Sequence, residues 1–118
     1  MERVLITGAS GFVGGHLAER LIEDGVSVRV LVRDPSKLPP GIATRCDIVR
    51  GDVLDETLFR RALEDVDTVF HLAAILGPSH LPIERYRAVN ATSVDTLMRL
   101  SRSIETIRRI VLVSTVGV

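Results

Sequence analysis

From Val4 to Gly15 the chain reads Val-Leu-Ile-Thr-Gly-Ala-Ser-Gly-Phe-Val-Gly-Gly, which spaces Gly8, Gly11 and Gly14 three residues apart behind a short apolar run. In that context Gly8 lets the backbone leave a strand in a conformation that a Cβ would hinder. Gly11 lets the main chain come close to a pyrophosphate, and Gly14 admits tight packing of helix on strand. The helix that follows aims its unpaired N–H groups and positive dipole end at a phosphate. Ser10, Phe12 and Val13 sit inside the same turn and join the three glycines as candidate dinucleotide contacts. A P-loop would need Gly-Lys-Ser/Thr at the end of the loop, and Gly14-Gly15-His16 stands there instead. His16 reads as an exposed histidine. His80 has no Cys or carboxylate at metal-ligand spacing, so no metal site is expected.

Such a turn works only between a buried strand and a helix. Four near-continuous, β-branched runs, Val4 to Ile6, Val26 to Val32, Val66 to Leu72 and Ile110 to Val113, have the pattern of parallel strands buried on both faces, and a weaker fifth lies at Ile48-Val49. Helical spacing predicts helices over Phe12 to Asp24, Glu56 to Glu64 and about Ile83 to Ser103. Phe59, Phe70, Leu97 and Met98 read as core, and packing is expected to account for Phe12. Pro39-Pro40-Gly41 reads as an exposed turn. The alternation implies right-handed βαβ crossovers in an α/β, three-layer, doubly wound parallel sheet.

Composition narrows the function classes. The chain has 118 residues, 46% of them hydrophobic, which suits one globular domain over residues 1–118. Fifteen Lys+Arg balance fifteen Asp+Glu, and without a basic run there is no electrostatic footprint for nucleic acid. The single cysteine, Cys46, leaves no internal disulfide. No apolar run could span a bilayer and no secretory signal opens the chain, so a cytoplasmic protein with no membrane partner is expected.

Thr7 to Gly14 resembles the T-G-x-x-G-F-x-G signature of the NAD-dependent epimerase/dehydratase family, the extended branch of the short-chain dehydrogenase/reductase superfamily. Gly51-Asp52-Val53, His71-Leu72-Ala73-Ala74, Val89-Asn90 and Val113-Ser114-Thr115 match further family segments in order. The resemblance implies a Rossmann fold with strand order 3-2-1-4-5, truncated here after strand 5. It implies that Asp52 and Val53 meet the adenine, although Asp52 also has a plain reading as a turn residue after Gly51. It implies that the backbone of Leu72, Ala73 and Ala74 lies along the cofactor and that Asn90 anchors the site. On the same comparison His71 is structural.

The family also implies hydride transfer on a nucleotide sugar or similar hydroxylated small molecule. A downstream Tyr-x-x-x-Lys acts as acid/base with a strand-end hydroxyl, for which Thr115, then Ser114, is the candidate. No tyrosine follows Thr115, and the residue four beyond Tyr86 is Asn90. The expected identity is therefore an N-terminal, cofactor-binding part, inactive alone. The alternative is a non-catalytic NADP-binding sensor. Alignment to the family puts Arg33 where NAD-dependent members carry Asp. An arginine pairs with the 2′-phosphate of NADP, whereas a carboxylate holds the ribose hydroxyls of NAD. NADP is favoured over NAD, with Lys37 as a second cation, and Asp34 would reverse this if the strand ended one residue later. The family's dimeric helix packing implies a homo-oligomer, through the long helix or the exposed fifth strand.

Overall fold

The structure, a computed structural model, describes residues 1–72, 84 and 88–113. Five parallel strands, β1 (Arg3–Thr7), β2 (Ser27–Val32), β3 (Asp47–Arg50), β4 (Thr68–His71) and β5 (Arg109–Leu112), form one sheet in the order β3-β2-β1-β4-β5. The doubly wound α/β architecture and strand order expected of the chain are those observed. Helices α1 (Phe12–Glu23), α2 (Pro40–Ala43), α3 (Glu56–Ala62) and α4 (Ser93–Ser101) complete the described elements, with a 3-10 turn at Pro35–Lys37 and a π-helical turn at Ala88–Thr92.

Alternation along the strands creates the three layers, because successive side chains point to opposite faces. Val4, Ile6, Val28, Val30 and Val32 meet Ala18 and Leu21 of α1 and Ile42 of α2 on one face. Leu5, Leu31 and Val69 meet Phe59, Ala62, Leu97 and Leu100 of α3 and α4 on the other. Arg29 is a long polar side chain on that second face. Its guanidinium donates to the Asp47 carboxylate at 2.8 Å and to the carbonyls of Ala62 and Glu64 at 2.9 and 2.7 Å, so it ties the last residue of α3 and the turn beyond it to the sheet.

Three expectations are corrected. Within the helical pattern expected from about Ile83 to Ser103, Glu84 and Ser93–Ser101 are α-helical as expected, and the described stretch between them, Ala88–Thr92, is a wider π turn. Apolar spacing does not distinguish the two backbones over one turn. Pro39-Pro40-Gly41 is exposed as expected but opens the helical turn α2, with Pro40 at the first helical position, where a missing N–H does no harm. Met98 is 42% exposed, because the buried stripe of α4 runs through Ser93, Leu97 and Leu100 and leaves it to one side.

At the amino end of the sheet Asp67 joins three strands. Its carboxylate accepts the N–H groups of Glu2 and Arg3 at 2.8 and 2.9 Å and the Thr68 hydroxyl at 2.7 Å. Its carbonyl accepts the N–H groups of Arg108 and Arg109. Burial alone would raise the Asp67 pKa, but these hydrogen bonds outweigh it and hold the group down to about 2. Asp67→Ala is expected to lower stability by about 2–3 kcal/mol, since hydrogen bonds to a charged group are lost while the donors stay partly buried. Urea unfolding checks this, and a change under about 0.5 kcal/mol would contradict it.

Candidate functional site

The carboxyl ends of β1, β2, β3 and β4 and the π turn before α4 carry the described candidate residues. Gly8 adopts φ +79°, a left-handed backbone that L side chains rarely tolerate. The Gly11 N–H donates to the Gly8 carbonyl at 3.1 Å and closes the turn onto α1. A Cβ on Gly14 would lie 2.2 Å from the Gly8 carbonyl oxygen, so the helix seats on the turn only because that residue is glycine. The first turn of α1 contains no acidic residue and its N-cap Gly11 supplies no side-chain acceptor. The positive helix end therefore faces outward without a counter-charge of its own, as an anion site requires.

Phe12 overturns its expected packing role. It is 82% exposed and touches the His16 ring edge-on at 4.6 Å. The buried stripe of α1, Gly14, Gly15, Ala18 and Leu21, leaves positions 12 and 16 together on another face. Val13 is exposed beside it, as are Ser10 and His16.

At the end of β2, Arg33 is the first residue past the strand. Its side chain is 70% exposed, and its Nε stands 3.8 Å from an Asp52 carboxylate oxygen, too long for a hydrogen bond. Asp34 turns back on its own backbone. One carboxylate oxygen accepts both the N–H and the hydroxyl of Ser36, at 3.0 and 2.6 Å, capping the 3-10 turn. Those two bonds lower its pKa. Lys37 is exposed at the end of that turn. Across the strand pair, register sets Arg50 of β3 beside Val32, a further exposed cation at this end that sequence reasoning did not single out.

Asp52 does the turn work expected of it, accepting the Leu54 N–H at 3.0 Å, while its other oxygen faces Arg33. The Val53 side chain is buried in the core with Phe59, so its backbone is the part left to meet a ligand. Leu72 is half-buried after β4, and Asn90 lies exposed in the π turn. Ala73, Ala74, Ser114 and Thr115 lie outside the described residues. Among the described residues no group of His, Cys, Asp and Glu could hold a metal, and no helix is long and apolar enough to cross a membrane.

His71 is buried, as expected of a structural histidine, and makes more contacts than the sequence suggests. Its Nδ1 lies 2.8 Å from Thr7 Oγ1 and its Nε2 3.0 Å from Ser93 Oγ, with all three residues buried. The ring stacks on Phe59 at 6.0 Å. A neutral imidazole donates at one nitrogen and accepts at the other, so the two hydroxyls are oriented in series. Ser93 was not anticipated, because a serine in a helix gives no sign of a partner 22 residues away.

The model of the NAD dependent epimerase/dehydratase family matches residues 4–118. The chain belongs to that family. Dihydroflavonol 4-reductase from Zea mays is 34% identical over 123 residues, covering 97% of this chain and 34% of that protein. A 3 beta-hydroxysteroid dehydrogenase/Delta 5-->4-isomerase from Mycobacterium tuberculosis is 36% identical over 104 residues, covering 83% of this chain and 28% of that protein. Among solved structures, MoeE5 in complex with UDP-glucuronic acid and NAD has a TM-score of 0.81 at 33% identity, covering 96% of this chain and 36% of that one. A short-chain dehydrogenase/reductase superfamily protein from Agrobacterium tumefaciens with bound NAD has a TM-score of 0.82 at 27% identity, covering 97% and 33%. The chain thus spans about a third of the length of the relatives it matches. For this member of the epimerase/dehydratase family, the described geometry is a tight glycine turn between β1 and α1 with the other described candidate residues around it.

Burial holds the His71 pKa down to about 4, so the ring is neutral near pH 7. Between pH 6.5 and 4 the unfolded chain takes up a proton that the folded ring refuses. Stability is therefore complete above pH 6.5 and falls as the pH drops toward 4, by about 3 kcal/mol in all. Urea unfolding at pH 7 and pH 4 is expected to show that loss, and His71→Phe to flatten it. An equally steep loss in the variant would assign the titration elsewhere.

Proposed function

We propose that this chain is the cofactor-binding part of an NADP-dependent reductase, dehydratase or epimerase that transfers hydride at a carbinol or carbonyl carbon of a hydroxylated small molecule, such as a nucleotide sugar. Asp34 carries the cofactor preference. An NAD-type ribose clasp needs a carboxylate at the end of β2, and the one present is already committed to Ser36, whereas Arg33 and Lys37 are exposed cations. NAD in the solved relatives supports dinucleotide binding in general, and the end of β2 supports the 2′-phosphate here.

Gly8, Ser10, Gly11 and the first N–H groups of α1, from Phe12, Val13 and Gly14, would hold the pyrophosphate. Arg33 and Lys37 would hold the 2′-phosphate. Asp52 and the Val53 backbone would meet the adenine, with Leu72, Ala73, Ala74 and Asn90 along the remainder. Bound NADPH would supply the hydride. Thr115, with Ser114 beside it, would orient the substrate oxygen. The family membership and the named reductase and dehydrogenase relatives support enzyme over sensor for the whole protein. The lone free Cys46 suits a reducing cytoplasm.

Calorimetry with NADP and NAD tests the cofactor. NADP is expected to bind more tightly, and Arg33→Ala to weaken it roughly 10- to 100-fold while leaving NAD nearly unchanged. Equal or tighter binding of NAD, or an indifferent Arg33→Ala, would overturn the preference.

We also propose that the chain self-associates. Leu112 and Val113 are exposed at the end of β5, an edge strand of the described sheet, and Met98 is exposed on α4. Sedimentation is expected to show a dimer at tens of micromolar, and a monomer throughout would refute it.

A further inference from the structure

Four of the stretches that carry candidate cofactor and substrate groups have a described residue tied to His71. Through Nδ1 the ring reaches Thr7, the last residue before the Gly8 turn, at 2.8 Å. Through Nε2 it reaches Ser93 at 3.0 Å, the first residue of α4 and three positions past Asn90. Its carbonyl accepts the N–H of Val113 at 3.3 Å, and Val113 precedes Ser114 and Thr115 in the chain. The next residue, Leu72, begins the Leu72-Ala73-Ala74 stretch, and its N–H is shared between the Thr7 carbonyl at 3.1 Å and the Thr7 hydroxyl at 3.0 Å.

Thr7, His71 and Ser93 are all buried, and no buried polar side-chain atom among the described residues lacks a partner. A fully bonded polar chain inside an apolar core rigidifies its neighbourhood, because every rotation of the ring or of a hydroxyl breaks a bond that water cannot replace. The Phe59 ring stacked on the imidazole removes the remaining freedom.

We propose that His71 is a positioning residue for the pyrophosphate and nicotinamide half of the cofactor, holding the glycine turn, Leu72 after β4 and the start of α4 at fixed mutual distances through the Thr7–His71–Ser93 chain. It touches no ligand itself. The adenosine half is held elsewhere, by Arg33, Lys37 and Asp52 at the ends of β2 and β3, where Arg33 faces Asp52. The inference rests on the dinucleotide reading above and adds a division of labour within that site.

The test compares two probes on the whole 118-residue chain: NADP, which occupies both halves, and adenosine 2′,5′-bisphosphate, which occupies only the adenosine half. His71→Phe keeps an aromatic ring against Phe59 but removes both hydrogen bonds, and Ser93→Ala removes the partner of Nε2 while leaving the Thr7 bond, serving as the second variant should the first fail to fold. Each is expected to weaken NADP by about tenfold, since small displacements of a binding constellation are felt steeply, and to leave the bisphosphate within about twofold. Equal weakening of both probes would mean a general loss of structure and overturn the positioning role. Unchanged NADP binding would overturn it too. If the unmodified chain bound neither probe, the dinucleotide reading itself would fall, and the inference with it.

Discussion

The Gly8 carbonyl and the Gly14 α-carbon lie so close that no Cβ fits between them, and the rest of the site inherits its placement from that contact. It brings the first turn of α1 directly over the end of β1. There the helix end can act on a phosphate at short range, where its dipole still has effect. A larger residue would force the helix away and rotate its N–H groups off the line of the strand. Much of the nearby sequence is permissive by comparison: Phe12, Val13 and His16 share the helix with this contact yet stand in solvent.

Strand β4 divides two duties between its ends. At the amino end Asp67, just before the strand, joins β1, β4 and β5 with a carboxylate and a carbonyl, in a place where no candidate site residue stands. At the carboxyl end His71 joins the same strands and adds α4, beside the turn that would bind the cofactor. Both groups are polar residues bonded on every side, but their electrostatics differ. Asp67 is held charged by donors that converge on it, and His71 is held neutral by a core that will not solvate a cation. The first arrangement favours stability over most of the pH range, and the second favours fixed geometry at neutral pH.

The strands were legible because β-branched apolar runs have few other uses in a chain of this composition. Their order was less so: periodicity indicates parallel strands, but the sequence 3-2-1-4-5 came from the resemblance of ordered motifs. Two side chains defied expectation for the same reason. Phe12 and Met98 are large and apolar, yet each lies one step off the buried stripe of its helix, and phase outweighs hydrophobicity there. Asp67 and Ser93 escaped notice for a different reason. Their partners are main-chain groups or an imidazole far along the chain, and nothing local distinguishes such a residue from a solvated one. The role of Asp34 is likewise hidden from the sequence, since whether it caps the 3-10 turn or faces a ribose depends on one side-chain torsion.

The position of β1 at the centre of the sheet bears on how the chain is made. Val4 pairs with Val28 on one edge and with Thr68 on the other, so its first neighbour emerges early in synthesis and its second much later. Until β4 leaves the ribosome, a strand of Val, Leu and Ile offers one bare edge to whatever is nearby. The stretch between those two pairings is therefore the interval in which nascent chains are most exposed to wrong partners. The polar and charged ends of β3, Asp47 and Arg50, emerge within that interval and make the only other finished edge a poor template for them.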